Sequence, residues 1–312
     1  MRPWMSVIVP VHNGGRFLGA ALASLVDQSG DELEVVAVDD RSTDHSREIL
    51  DSFSSRLALR VLRNEQTSGW VAASQRGLDA ARGEVACFLH QDDLWLPGRM
   101  AAAREAWRER PDIGLLVHDC DFLDVEGRRL ATLRPPFGEG GFVARARVLE
   151  ALAVQNTISV PAAAFSVAAA RQVGPLAAEH WYTADWLLWI RLADRVPVVY
   201  LPRVLAGFRI HAESQTATRS RNSDDFRREH VEVLAEVQRL LDLGDEGAGV
   251  IAAGELSMRA NLLLAALWHR DTAGVVSVLS GLRPRHLAGL PRFLRCSRIG
   301  ERLAARLALL QD

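Results

Sequence analysis

Four apolar runs in the first ninety residues, separated by stretches of helical spacing, constrain the fold of this chain more than any other feature. Met5–Val11, Leu33–Val38, Leu57–Leu62 and Val85–Leu89 are rich in valine and leucine and read as buried strands. Between the first two, Phe17, Leu18, Ala21, Leu22, Leu25 and Val26 recur at the spacing of one helix face. Ser42-Thr43-Asp44 reads as a helix start, with Ile49, Leu50 and Phe53 on the apolar side, and Val71–Ala81 as a third helix. Parallel strands need such crossovers, so the alternation predicts a mostly parallel α/β sheet with helices on both faces. His12-Asn13-Gly14-Gly15 is a turn, and Asn13 is placed to cap the helix that follows.

Beyond Pro97 the pattern predicts a helix to Arg110, a strand at Ile113–Val117, and a second strand entering a turn over Phe122–Gly127. Arg134–Gly141 is a Pro/Gly-rich, mobile loop, Arg145–Val154 a helix, and Ile158–Phe165 a short apolar segment containing Pro161. Asp185–Ala193 is a helix carrying Trp186 and Trp189, followed by strands at Val198–Leu201 and Val204–Arg209. From Asp224 the chain turns to Ala/Leu/Arg/Glu helices, with a break at Leu243–Gly247. A boundary near Ser220 therefore divides residues 1–220 from a helical extension at 221–312.

Carboxylates close two of the strands. Asp39 and Asp40 follow Val35–Val38, and Asp92 and Asp93 follow Cys87–Leu89. In open α/β sheets ligands sit beyond the carboxyl ends of the strands, so two acidic pairs there suggest a site for a divalent cation and a nucleotide. The remaining numbers exclude more than they indicate. With 37 basic and 39 acidic residues the composition carries no nucleic-acid signal. Three scattered cysteines are no disulfide framework and fit a reducing cytoplasm. The chain starts directly into a strand rather than a signal peptide, and every long apolar stretch is interrupted by a charge or a turn residue.

Five segments occur in an order that resembles family 2 glycosyltransferases, enzymes of the GT-A fold. VIVPVHN (Val7–Asn13) is similar to the opening strand, VAVDDRSTD (Val36–Asp44) to the nucleotide-binding strand, and FLHQDD (Phe88–Asp93) to the metal-binding segment. TADWLLWIRLA (Thr183–Ala193) resembles the segment with the catalytic base, and FRIHAESQT (Phe208–Thr216) the closing Arg-x-His element. The resemblance covers residues 5 to about 220.

It implies a nucleoside-diphosphate-sugar donor, with UDP favoured, held by Pro10, Val11, Asn13, Asp39, Asp40, Gln91, Asp93 and Arg209. It implies Mn²⁺ or Mg²⁺ on Asp92, with His90 and His211 as further ligands, and Asp185 as the base of an inverting transfer. Each residue also has a plainer reading. Asp39 and Asp40 could cap a helix or close a turn, Asp185 could merely open one, and Arg209 and His211 could be exposed loop residues. His90 stands where the family has an acid, which favours Mn²⁺ over Mg²⁺ if it is a ligand. Ala184 stands where the family has the acid before the base. Trp186 and Trp189 read as core by their spacing, leaving Trp181 as the candidate to stack on an acceptor sugar.

The expected acceptor is a saccharide, a lipid-linked molecule or another hydroxyl compound, in bacterial cell-surface polysaccharide or glycoconjugate assembly. Arg283, Arg285, Arg292, Arg295, Arg298, Arg302 and Arg306, interleaved with leucines, either lie on an anionic membrane at the inner face of the cell or form the solvated side of a packed helix. Two rival readings remain. One is a nucleotidyltransferase-like sugar-phosphate enzyme, which would need a phosphate loop that HNGGRF resembles poorly. The other is a GT-A-shaped scaffold whose site has decayed at His90 and Ala184.

Overall fold

A computed structural model describes residues 2–211, 223–241 and 247–308. The order is β1 (Met5–Val11), α1 (Leu18–Val26), β2 (Leu33–Asp39), α2 (Ser46–Phe53), β3 (Leu59–Arg63), α3 (Gly69–Ala80), β4 (Val85–Phe88), β5 (Leu94–Trp95) and α4 (Arg99–Glu109). Then come β6 (Leu115–Leu123), β7 (Arg129–Leu133), β8 (Gly141–Val143), α5 (Arg145–Val154), a 3-10 turn at Val160–Ala162, β9 (Ala163–Ser166), α6 (Val167–Gln172), α7 (Ala184–Arg195) and β10 (Val198–Arg209). The C-terminal helices are α8 (Ser223–Leu241), α9 (Gly247–Trp268), α10 (Thr272–Ser280), α11 (Pro284–Ala288), α12 (Leu290–Cys296) and α13 (Ile299–Ala308).

The ten strands form one sheet in the order β3-β2-β1-β4-β9-β6-β10-β5, with β7 paired to β6 and β8 to β10. The first four are parallel, as the alternation predicts. β9 enters antiparallel between β4 and β6, after which β6 and β10 run parallel. β1, β2 and β4 are buried along their whole length, the mark of a sheet covered on both sides. The two-residue period divides them between two cores. Val7, Val9, Val11 and Cys87 face Leu18, Leu22 and Leu25 of α1 and Leu50 of α2. Ile8, Ala86 and Phe88 face Val71 and Leu78 of α3 and the α5 and α7 side, with Trp186 and Trp189 buried among them as expected.

The structure departs from the sequence reading in informative places. The two strands expected at Ile113–Val117 and Phe122–Leu123 are one, β6. His118, Asp119 and Asp121 interrupt its apolar run, yet partners satisfy the carboxylates. Tyr200 Oη donates to Asp119 Oδ1 at 2.5 Å, and Thr132 Oγ1 to Asp121 Oδ1 at 2.6 Å. β10 likewise unites two expected strands, its register shifting around Leu201–Val204 to absorb Pro202. The short apolar segment Ile158–Phe165 runs through the 3-10 turn into β9. Arg134–Gly141 joins β7 to β8 and buries Phe137. Asn13 does not cap α1, whose first turn starts five residues later. It sits at φ 50° and its Oδ1 accepts from Thr43 N at 2.8 Å.

The expected boundary near Ser220, Ser214–Thr216 and most of the expected break at Leu243–Gly247 fall outside the described residues. The C-terminal helices join the sheet-bearing part of the chain in shared cores. Val233, Val237 and Val250 belong to the α5–α7 core, and Ala253, Phe293 and Cys296 pack on Val154. Gly247–Leu267 is long and apolar enough to cross a membrane by length and composition, with a mean hydropathy of 1.4. It carries Glu255 and Arg259, and it packs against α5, α8, α10, α11 and α12.

Candidate active site

The backbone leaves β4 at Phe88, and within five residues presents His90, Asp92 and Asp93, whose ligand atoms lie within 4.8 Å of one another. They stand at the carboxyl end of a central parallel strand, where the sequence placed them. Asp92 is partly exposed. Asp93 is buried, and burial followed by repulsion from Asp92 drives its carboxyl well above the ordinary range, against the pull of Arg209. Burial lowers the proton affinity of His90, so its imidazole is held neutral, the form that binds metals.

The end of β10 closes this loop from the far side. Arg209 N donates to Asp93 Oδ1 at 3.0 Å, and its Nε donates to Asp92 O at 2.9 Å. Nη1 donates to Asp124 O at 2.8 Å and to Val125 O at 3.0 Å. Its guanidinium also lies 4.8 Å over the Phe17 ring. Arg209 is therefore buried behind the acidic loop, holding it in place. Burial accounts for this, since a desolvated guanidinium must find backbone acceptors. His211 Nε2 lies 3.1 Å from Asp92 Oδ2, and its ring meets that of Phe17 at a tilt, 4.8 Å between centroids.

Asp39 and Asp40 differ in availability. Asp39 Oδ1 accepts from Ser42 N at 2.9 Å, while Oδ2 has only a long 3.4 Å pairing with Arg63. Asp40 has both oxygens engaged, by Asn64 Nδ2, by Ser68 N and Oγ, and by Gly69 N at the start of α3. Burial pushes its proton affinity up, but those hydrogen bonds outweigh it and hold the carboxyl below its ordinary range. Asp40 thus anchors the N-terminus of α3, the capping role its plainer reading names. Gln91 is also engaged locally: its Oε1 accepts from His12 N at 2.8 Å and its Nε2 donates to His12 O at 3.1 Å. Pro10 and Val11 lie beside Val38 and Asp39 in the β1–β2 ladder, and Asn13 N donates to Ser42 Oγ, so these residues line one strand-end surface.

Asp185 opens α7, is buried, and accepts from Asn156 Nδ2 at 2.9 Å. Burial raises its pKa to about 6, the hydrogen bonds from Asn156 and the Trp186 backbone offsetting only part of the effect. Trp181 lies just before this helix. Trp70, at the start of α3, bridges the two halves of the site: its indole N–H donates to Trp181 O at 3.1 Å, and its ring meets His90 edge-on at 5.2 Å. The Trp181–Thr183 turn is held from outside the sheet by Glu229 of α8. The Glu229 carboxylate accepts from the backbone N–H of Trp181, Tyr182 and Thr183 at 3.0, 2.7 and 3.1 Å.

Residues 6–158 match the family model described as Glycosyl transferase family 2. This chain is a family 2 glycosyltransferase. An uncharacterized protein, MT1568, from Mycobacterium tuberculosis is 31% identical over 226 residues, covering 69% of this chain and 70% of that one. The putative teichuronic acid biosynthesis glycosyltransferase TuaG of Bacillus subtilis is 33% identical over 110 residues, 35% of this chain and 44% of its own. Among solved structures, S. aureus TarS 1-349 in complex with UDP-GlcNAc superposes with a TM-score of 0.60 at 19% identity, covering 91% of this chain and 90% of that one. That likeness establishes the GT-A architecture of the glycosyltransferase.

The family 2 site fits a divalent cation on its own atoms. His90 Nε2 and Asp93 Oδ2 are buried polar atoms with no hydrogen-bond partner among the described residues, and the partly exposed Asp92 carboxylate stands beside them. Two carboxylates and a neutral imidazole make a donor set that Mn²⁺ accepts readily. Sequence reasoning missed Trp70, Asn156 and Glu229. Trp70 follows a glycine at a helix start, a weak signal. Asn156 stands alone between apolar segments, and Glu229 is one acid among many on an amphipathic helix.

Proposed function

We propose that this enzyme transfers a sugar, with inversion, from a nucleoside-diphosphate sugar, a UDP-sugar first among candidates, to a hydroxyl of a saccharide, lipid-linked or other acceptor in bacterial cell-surface polysaccharide or glycoconjugate assembly, releasing the nucleoside diphosphate. The observation that carries the reading is the pairing of a cation-ready cluster at the end of β4 with Asp185, a buried carboxylate whose pKa of about 6 suits a general base. The names TuaG and TarS, and the UDP-GlcNAc held by the latter, support the donor and product class. The mannosyltransferase PcManGT of Pyrobaculum calidifontis, solved with GDP-Man and Mn²⁺, supports the metal.

In this mechanism Val11, Asn13 and Asp39 receive the nucleoside at the ends of β1 and β2. Asp92, with His90, His211 and Asp93, would hold a divalent cation, which offsets charge developing on the departing diphosphate. Arg209 fixes the Asp92–Asp93 backbone so that these ligands stay in register. Trp181 packs against the acceptor, and Asp185 takes the proton from its hydroxyl as that oxygen attacks the anomeric carbon opposite the leaving group. Calorimetric titration of UDP with and without Mn²⁺, followed by assay of UDP-sugars for transfer or hydrolysis, tests the reading. No nucleotide binding under either condition rejects it.

The rivals are less well supported. A phosphate-cradling loop after β1 needs free backbone N–H groups, whereas Gly14 N donates to Ser46 Oγ and Gly15 N to Asp44 Oδ2. A decayed scaffold has no need of converging donors or of a base with elevated proton affinity. Three free, buried cysteines accord with a reducing compartment.

Two variants refine the proposal. Asp39→Ala should weaken UDP binding by about 1–3 kcal/mol, the scale of a lost buried hydrogen-bond partner. An unchanged calorimetric Kd would remove Asp39 from the nucleotide site. His90→Asp puts a carboxylate where the family has one and should move the metal preference towards Mg²⁺. Identical Mn²⁺ and Mg²⁺ activation curves for the variant and the wild type would show that His90 is not a ligand.

A further inference from the structure

The C-terminal helices expose apolar side chains in a way the rest of the molecule does not. Of eleven exposed large hydrophobic residues among those described, eight fall between Leu267 and Leu307. α11 and α12 are joined by Gly289, which has helical dihedrals, so residues 284–296 behave as one helix with two apolar rows. His286, Gly289, Phe293 and Cys296 form the inward row. It is tightly seated, because a Cβ at Gly289 would collide with the Ala253 backbone of α9. Leu287, Leu290 and Leu294 recur at the same spacing on a different side and face solvent. Val276, Leu279 and Leu282, on α10 and its C-terminal turn, are exposed as well. Since the inward row already fills the core contact, the outward leucines are left over from folding.

Charge identifies what they meet. Residues 281–306 hold seven arginines and one acid, Glu301. Glu301 is paired with Arg298 at 3.6 Å, and Arg292 with Glu150 at 3.3 Å. Arg283 and Arg295, both exposed, flank the Leu287–Leu294 row. Leucines to bury beside guanidinium groups to place among phosphates are the two requirements of an interfacial helix on an anionic bilayer. We propose that the outward face of α10–α12 docks on the surface of an anionic lipid bilayer, with these leucines entering the headgroup boundary and Arg283 and Arg295 contacting lipid phosphates. The proposal is independent of the donor and of the chemistry at Asp185.

Sedimentation with vesicles of phosphatidylcholine, with and without phosphatidylglycerol, tests it on the full chain. Binding to the anionic vesicles is expected, weakening as salt is raised. Replacing Arg283 and Arg295 by Gln should reduce partitioning roughly five-fold per arginine. Leu287→Gln with Leu294→Gln should reduce it at least about ten-fold. Both pairs are on the surface, so melting temperature and nucleotide binding should stay as in the wild type. Absence of binding by the wild type would overturn the proposal, as would binding that neither pair of substitutions weakens. A wild-type dimer in light scattering that the leucine substitutions dissociate would assign the face to a second copy of the chain instead.

Discussion

Asp185→Asn is expected to cripple transfer while making the protein more stable at neutral pH. Asn keeps the shape and can still meet Asn156, but it cannot accept a proton, so turnover should fall by roughly 10²–10⁴. The stability change follows from the raised proton affinity. A carboxyl whose pKa is about 6 when folded and 3.8 when free contributes stability below the free value, and that contribution is lost as pH rises through 6. At pH 8 the wild type therefore carries a desolvated charge, costing about 3 kcal/mol, that the variant lacks. In the wild type, transfer should rise with pH through about 6 as the base is freed. Turnover, melting temperature at pH 8 and the pH profile check all three. A well-folded variant with near-normal transfer would move the base elsewhere.

Asp92→Asn is expected to have the other large effect. It keeps one oxygen donor but removes the charge that a divalent cation requires, and it alters the pairing with His211. If the cation provides several kcal/mol of charge stabilisation to the departing diphosphate, transfer should fall by about three orders of magnitude. UDP affinity should also lose its dependence on added Mn²⁺. Full wild-type activity in excess chelator, or metal-dependent binding that survives in Asp92→Asn, would dismiss the cation from the mechanism.

The N-terminal half of the fold was readable because its signals are local. Valine-rich runs that bury both faces, each followed by a helical period, leave few topologies open, and all four strands appeared. What failed had long-range causes. β6 was divided in two because Asp119 and Asp121 look like breakers until Tyr200 and Thr132 arrive from other strands. β10 was divided at Pro202, which a bulge accommodates. The site shows the same division. The strand-end acids were legible as neighbours at one end of the sheet, whereas the sequence could not say which of them the fold engages. Asp39 and Asp40 are neighbours, yet only Asp40 is closed off by the start of α3. The resemblance offered Arg209 as a donor contact, but could not give the contacts its own side chain makes. Its place behind Asp92 and Asp93 depends on carbonyls of residues 124 and 125, which no spacing reveals.

The grip of Glu229 on the turn before α7 has a consequence for how this enzyme comes into being. Three backbone N–H groups that lead into the Asp185 helix are satisfied by a residue encoded more than forty positions later. While the chain is being synthesised, the entire sheet and every candidate catalytic side chain can emerge from the ribosome before that carboxylate does. Until it arrives, those N–H groups can only turn to water, and the Trp181–Thr183 turn lacks its clamp, although the Trp70 indole still meets the Trp181 carbonyl. The entrance to the Asp185 helix is thus completed only once residue 229 has been made, and a fragment ending near residue 220 would lack that clamp.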